Sequence, residues 1–146
     1  MSDTDTFAKR IEIGRECEAR FRSYCESIDL TIIETTQHLA DQVKEHARHF
    51  PDFYIIERSM FIQVKDASHS EKWPDVIVEK KSFDACAYLA KYTPNVAIVW
   101  EFPSGDWMGE KFTAISPSGE ISDDARTHGS GTPAYKIRKS SLAKFK

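Results

Sequence analysis

The run Pro51-Asp-Phe-Tyr-Ile-Ile-Glu-Arg-Ser-Met-Phe-Ile-Gln-Val-Lys65 contains two stretches rich in β-branched and aromatic residues, Phe53 to Glu57 and Met60 to Lys65, separated by Arg58-Ser59. Such residues fit a pleated, half-buried surface, and two of these stretches around a two-residue break predict a tight hairpin, although Arg-Ser lacks the usual Asn-Gly chemistry. Alternation along the second stretch puts Met60, Ile62 and Val64 on one face and leaves Gln63 and Lys65 together on the other. Asp52 stands at the start of the first strand, directly after Pro51.

Upstream, Phe7, Ile11, Phe21 and Cys25 recur at helical spacing between Phe7 and Ile28, with Gly14 on the same stripe, which predicts an amphipathic helix. Leu30 to Thr35 reads as a short strand, and Gln37 to about His49 as a polar helix that Pro51 stops. Downstream, Ala67 to Pro74 is a polar loop and Asp75 to Glu79 a short strand. Ser82 can cap a helix running through Ala85, Leu89 and Tyr92, which Thr93-Pro94-Asn95 ends. Val96 to Phe102 is the most continuous apolar run and predicts a central buried strand. A hairpin is expected around Pro117-Ser118-Gly119, a loop at Gly129 to Pro133, a strand at Tyr135 to Arg138, and a final helical turn capped by Ser140 or Ser141. With no internal repeats, this order predicts an α/β (mixed α+β) domain with a central mixed sheet flanked by helices.

A chain of 146 residues is enough for one core, so a single domain is expected over 1–146. No apolar run approaches the roughly 20 residues of a membrane span, and Met1 to Thr6 is polar and acidic, without a secretory pattern. A cytoplasmic location is the resulting expectation. Cys17, Cys25 and Cys86 form an odd set without a Cys-x-x-Cys pair, which argues for reduced packing residues rather than disulfides or a zinc knuckle. Net charge is -3, yet the six basic residues after Ala125 (Arg126, Lys136, Arg138, Lys139, Lys144, Lys146) are accompanied by no acid. The body is therefore markedly acidic and suited to a cation, while the end of the chain is suited to phosphates.

Glu18 falls on the apolar stripe of the first helix, among Ile11, Gly14, Phe21 and Cys25, whereas Glu16 points the opposite way. A carboxylate aimed at a core costs several kcal/mol unless a cation or hydrogen bonds compensate it, so either a buried Arg or Lys or a metal ion is called for. Phosphodiester hydrolysis would employ all the unusual residues together. Glu18 and Asp52 could hold Mg²⁺ or Mn²⁺ with the Gln63 amide oxygen and the Val64 carbonyl, while Lys65 orients water or stabilises negative charge. His38, His46 and His49 lie on the polar helix without a third ligand at metal spacing. Ser116-Pro-Ser-Gly is turn chemistry, and Gly129-Ser-Gly131 lacks the lysine of a phosphate loop. Trp73, Tyr135 and the basic tail could contact bases or backbone phosphates.

Pro51-Asp52, ten intervening residues and then Gln63-Val64-Lys65 resembles the signature of the PD-(D/E)XK nuclease superfamily, and Gly14-Arg-Glu-Cys-Glu18 resembles the helix in which many members carry a metal-site glutamate. The resemblance spans roughly Ile11 to Phe102. It implies a restriction-endonuclease-like core at about 7–102, extended by a hairpin and basic segment at 103–146. It also implies a divalent metal and cleavage of DNA, with Glu18, Asp52, Gln63 and Lys65 in the motif positions. The departure is Gln63, where the family usually has Glu or Asp; an amide brings no charge, so cation binding should weaken. The expected function is thus a small metal-dependent DNA nuclease of phage, prophage or junction-resolving type, a homodimer if it resolves junctions. The alternative is a catalytically inactive DNA-binding or protein-interaction module of the same fold.

Overall fold

Val96–Glu101 is buried at every residue, as its unbroken apolar run predicts for a strand covered on both faces. The computed structural model describes residues 3–35, 51–121 and 133–146. Its elements are α1 (Asp3–Ser27), β1 (Ile32–Glu34), β2 (Phe53–Ile55), β3 (Met60–Asp66), β4 (Asp75–Glu79), α2 (Lys80–Ala90), β5 (Val96–Glu101), β6 (Trp107–Lys111), β7 (Gly119–Ile121), β8 (Ala134–Arg138) and β9 (Ala143–Lys144). One mixed sheet has the order β1-β2-β3-β5-β6-β9, and a smaller antiparallel sheet has the order β4-β8-β7. The large sheet is antiparallel except at its centre, where β3 and β5 run parallel with Gln63 opposite Ile98 and Lys65 opposite Trp100.

Each face of that sheet has its own core. On one side Cys17, Phe21 and Cys25 of α1 pack on Ile62, Val64, Ala97, Val99 and Trp107. On the other, Val96, Ile98 and Trp100 meet Cys86 of α2 and Val76, Val78 and Ile137 of the small sheet. The Trp100 indole donates to the Ile77 carbonyl at 2.8 Å, joining the two sheets through a buried polar group that is thereby satisfied.

Several sequence expectations shift in detail. The hairpin between β2 and β3 exists, but its connection is a 3₁₀ turn at Ile56–Arg58 closed by Ser59 in the left-handed region at φ 47°, instead of a two-residue turn. Pro117-Ser118-Gly119 makes no hairpin with β6: it leads into β7, which pairs with β8. The hairpin after the central strand forms earlier, between β5 and β6, where Gly105 takes φ 87°, a conformation that a side chain would strain. Ser82 does not cap α2, which begins after Glu79 with no side-chain cap. The final turn is a 3₁₀ helix at Lys139–Ser141, likewise without a side-chain cap, and the Ser141 hydroxyl donates to the Arg138 carbonyl.

The basic end is folded into the molecule. Lys139 donates to the Ser70 carbonyl at 2.6 Å and lies over the Phe102 ring, and Lys144 pairs with Asp106 at 3.3 Å. Tyr135 packs on Phe83, with ring centres 4.7 Å apart. The polar helix expected at Gln37 to His49, including His38, His46 and His49, lies outside the described residues, as do Arg126 and the Gly129-Ser-Gly131 stretch.

Phe21, with no exposed surface, touches the rings of Phe53, Trp107 and Phe145 at 5.9, 5.1 and 5.5 Å and so ties α1 to both halves of the large sheet. Phe21→Ala should lower unfolding free energy by about 3–5 kcal/mol in a urea titration, the usual cost of removing a buried aromatic ring.

Candidate functional site

Among the described side chains, the buried stripe of α1 is Cys17, Phe21 and Cys25, spaced four apart, which leaves Glu18 one position round the helix and half-buried. The expectation that Glu18 occupies the middle of the stripe is therefore corrected. It stands on the shoulder that faces the start of β2. The nearby arginines do not neutralise it, since Arg20 bonds Glu101 and Arg22 bonds Glu34 at 2.7 Å.

Asp52 sits just beyond the last pair of β2 with β3, Phe53 and Ile62. Its backbone is pinned from the other side, where the Thr35 amide donates to the Asp52 carbonyl at 3.0 Å and the Thr35 hydroxyl donates to the Pro51 carbonyl. Past this point β2 parts from β3, while β3 continues beside β5 to Asp66 opposite Glu101. The gap so opened holds the side chain of Asp52. Its Oδ2 accepts from the Gln63 Nε2 at 3.0 Å and from the Val64 amide at 2.9 Å. The carboxyl of Glu18 shares a hydrogen bond with Asp52. Lys65, on the same face of β3 as Gln63, donates to the hydroxyl of Ser82 at 3.0 Å. Glu18, Asp52, Gln63, Val64 and Lys65 are thus brought together from one helix and two strands. Ser82 joins them from α2, a neighbour that its reading as a helix cap did not anticipate.

The electrostatics of this cluster are unusual. Burial, followed by the charge of Asp52 and the hydrogen bond to it, moves Glu18 from the ordinary 4.5 up to about 8. Burial also raises Asp52, against the opposing pull of Glu18, the Val64 amide and Lys65. Two carboxyl groups in contact cannot both ionise cheaply, so in the metal-free protein they hold a proton between them. The Gln63 Oε1 is buried without a hydrogen-bond partner, a costly omission for an amide oxygen. Carboxylate and amide oxygens are the donor types that a hard divalent cation takes, and here they cluster around a buried amide oxygen with no partner.

A second polar cluster lies at the ends of β3 and β5, beside Cys17 of α1. Ligand atoms of Cys17, Asp66 and Glu101 lie within 4.8 Å of one another, a spacing that could hold a metal ion. Here, however, Glu101 already receives a two-pronged contact from Arg20, at 2.8 and 2.7 Å. The Cys17 thiol is pushed well above its usual range by burial and then by Asp66 and Glu101, which opposes the thiolate a metal would need. A cleft of about 450 Å³ opens beside it between Arg20, Asp66, His69 and Phe102.

The central mixed sheet has α1 on one face and α2 on the other. Among solved structures the chain is similar to that of Hjc from Archaeoglobus fulgidus, a Holliday junction resolvase from an archaeal hyperthermophile, at 11% identity over 90% of this chain and 91% of that one, with a TM-score of 0.57. A likeness at that identity establishes the fold alone, and identifies this arrangement as restriction-endonuclease-like. No family model and no curated protein matches the chain. Among the described residues no helix is long and apolar enough to cross a membrane.

Because the folded protein keeps the Glu18 proton to about pH 8 whereas an unfolded glutamate loses it near 4.5, the native state binds more protons across that window. Stability of the metal-free protein is then fullest below pH 4.5 as far as this group is concerned, and its contribution is lost as pH rises toward 8. The melting temperature in chelator should fall over that range, and Glu18→Gln should flatten the decline.

Proposed function

We propose that the protein is a divalent-metal-dependent nuclease that hydrolyses phosphodiester bonds in DNA, with branched DNA of the four-way junction type as its substrate. The observation that carries this reading is the convergence of Glu18, Asp52 and the partnerless Gln63 Oε1 beside Lys65. The likeness of most of the chain to a Holliday junction resolvase supports the choice of substrate.

Glu18, Asp52, the Gln63 amide oxygen and the Val64 carbonyl would hold Mg²⁺ or Mn²⁺. Bound there, the cation supplies Lewis-acid polarisation of a phosphoryl oxygen. The protein's own contribution is orientation and charge. Asp52 is fixed by the Gln63 amide and the Val64 N–H, so its carboxyl group has a defined direction. Lys65, half-buried and held by Ser82, presents an ammonium to the negative charge that develops on the phosphoryl group, or orients the attacking water. The neutral Gln63 leaves the site with two acidic ligands, which suits one cation better than two.

Incubation with four-way junction, linear, supercoiled and single-stranded DNA should give cleavage in Mg²⁺ or Mn²⁺ and none in chelator. Asp52→Ala or Lys65→Ala should reduce the rate roughly 100-fold or more; undiminished cleavage by either variant would overturn the site. Retention of DNA in a salt-sensitive way without cleavage would favour the inactive binding module of the same fold. Cutting a junction requires two strands to be cleaved, so the active species should elute as a homodimer in gel filtration.

Restoring a carboxylate at the one neutral position gives a separate check. Gln63→Glu should tighten Mg²⁺ binding several-fold in calorimetry, because a formal negative charge joins the donor set. Unchanged or weaker binding would remove Gln63 from that set.

A further inference from the structure

The crossover that carries the chain from β3 to the parallel β5 passes through β4 and α2. It lays the first turn of α2 against the face of β3 that bears Phe61, Gln63 and Lys65. Ser82, the third residue of the helix, is only 4% exposed, and its Oγ accepts from the Lys65 Nζ. Serine is a poorer helix former than alanine, and a buried hydroxyl needs a partner. Since α2 has no side-chain cap, the hydroxyl is not engaged in closing the helix end, and the partner it finds is Lys65.

The identity of that acceptor matters. Glu18 and Asp52 are bonded to each other, and Asp52 also takes the Gln63 amide and the Val64 N–H. The ammonium of Lys65 therefore hydrogen-bonds to a neutral oxygen and keeps its charge free of a bonded carboxylate. Lysine is a point charge on a flexible four-carbon stem with three donors; fixing one donor restricts the direction of the other two.

We propose that Ser82 is a positioning residue of the active site. By accepting one N–H of Lys65 it aims the remaining two at the phosphoryl group or the attacking water. The inference rests on the nuclease reading above and adds to it a residue from α2.

The test compares the wild type with Ser82→Ala, Ser82→Thr, Lys65→Ala and the Ser82→Ala/Lys65→Ala double variant on a junction substrate. Ser82→Ala should lower kcat roughly 10- to 100-fold with KM changed by no more than about twofold, the signature of an interaction made in the transition state. Ser82→Thr, which keeps the hydroxyl, should recover most of the loss. On the Lys65→Ala background Ser82→Ala should cost nothing further, because the two residues act as a unit. A wild-type kcat in Ser82→Ala, or an equal loss on both backgrounds, overturns the proposal. If the wild type cuts no DNA, the nuclease reading falls, and the role of Ser82 is judged by NMR relaxation at the Lys65 Cε. Mobility there should rise in Ser82→Ala and return in Ser82→Thr, and unchanged mobility overturns the positioning role.

Discussion

The parallel pairing of β3 with β5 is the constraint on which the rest of the molecule depends. Parallel neighbours cannot be joined by a tight turn, so the chain must leave the sheet and return on one of its faces. The intervening residues supply β4 and α2, which cover the face opposite α1. With both faces covered, β5 can be apolar from Val96 to Trp100, and its one terminal charge, Glu101, is met by Arg20. The same pairing carries β3 past the end of β2, and the side chains that matter collect at that divergence.

Two groups of acidic and polar side chains lie beside α1, and their different treatment is informative. Around Glu101 the acid is answered within the fold, by a two-pronged arginine at the mouth of a cleft. Around Asp52 it is not. Glu18 leans on Asp52 and must hold a proton to do so, the Gln63 oxygen is left without a donor, and the nearest cation, Lys65, is bonded to a hydroxyl. Burying polar groups in this state costs free energy that a structural cluster would have no reason to sustain. An added cation would relieve each of these strains at once, as the proposed metal site requires.

Much of the frame was legible along the chain because its signals are local. The β-branched runs around Arg58-Ser59 mark β2 and β3, the apolar run at Val96 marks β5, and the four-residue spacing of Phe21 and Cys25 marks α1. Errors arose where a local signal has two outcomes. Pro117-Ser118-Gly119 is turn chemistry, but a turn does not specify which strand it leads to, and β7 joined β8 in the other sheet. Ser82 has the chemistry of a helix cap, but the helix began two residues earlier and turned the hydroxyl inward. The lysines of the chain end read as free charge, yet Lys139 and Lys144 found partners distant in sequence.

The sequence by itself determined which residues could carry chemistry, because a carboxylate beside an apolar stripe and a polar pair on one strand face follow from helical and strand periodicity alone. Only the tertiary structure decided how those residues are poised. Whether Glu18 meets an arginine or Asp52, whether the Gln63 oxygen finds a donor, and which group holds Lys65 depend on elements separated by many residues of chain. Their approach is fixed by sheet order and by the crossover through α2, and no local pattern encodes the distance between them. The Asp52, Gln63 and Lys65 side chains carried on the hairpin thus became a cluster of defined charge and orientation only once α1 and α2 closed on β3 from opposite sides.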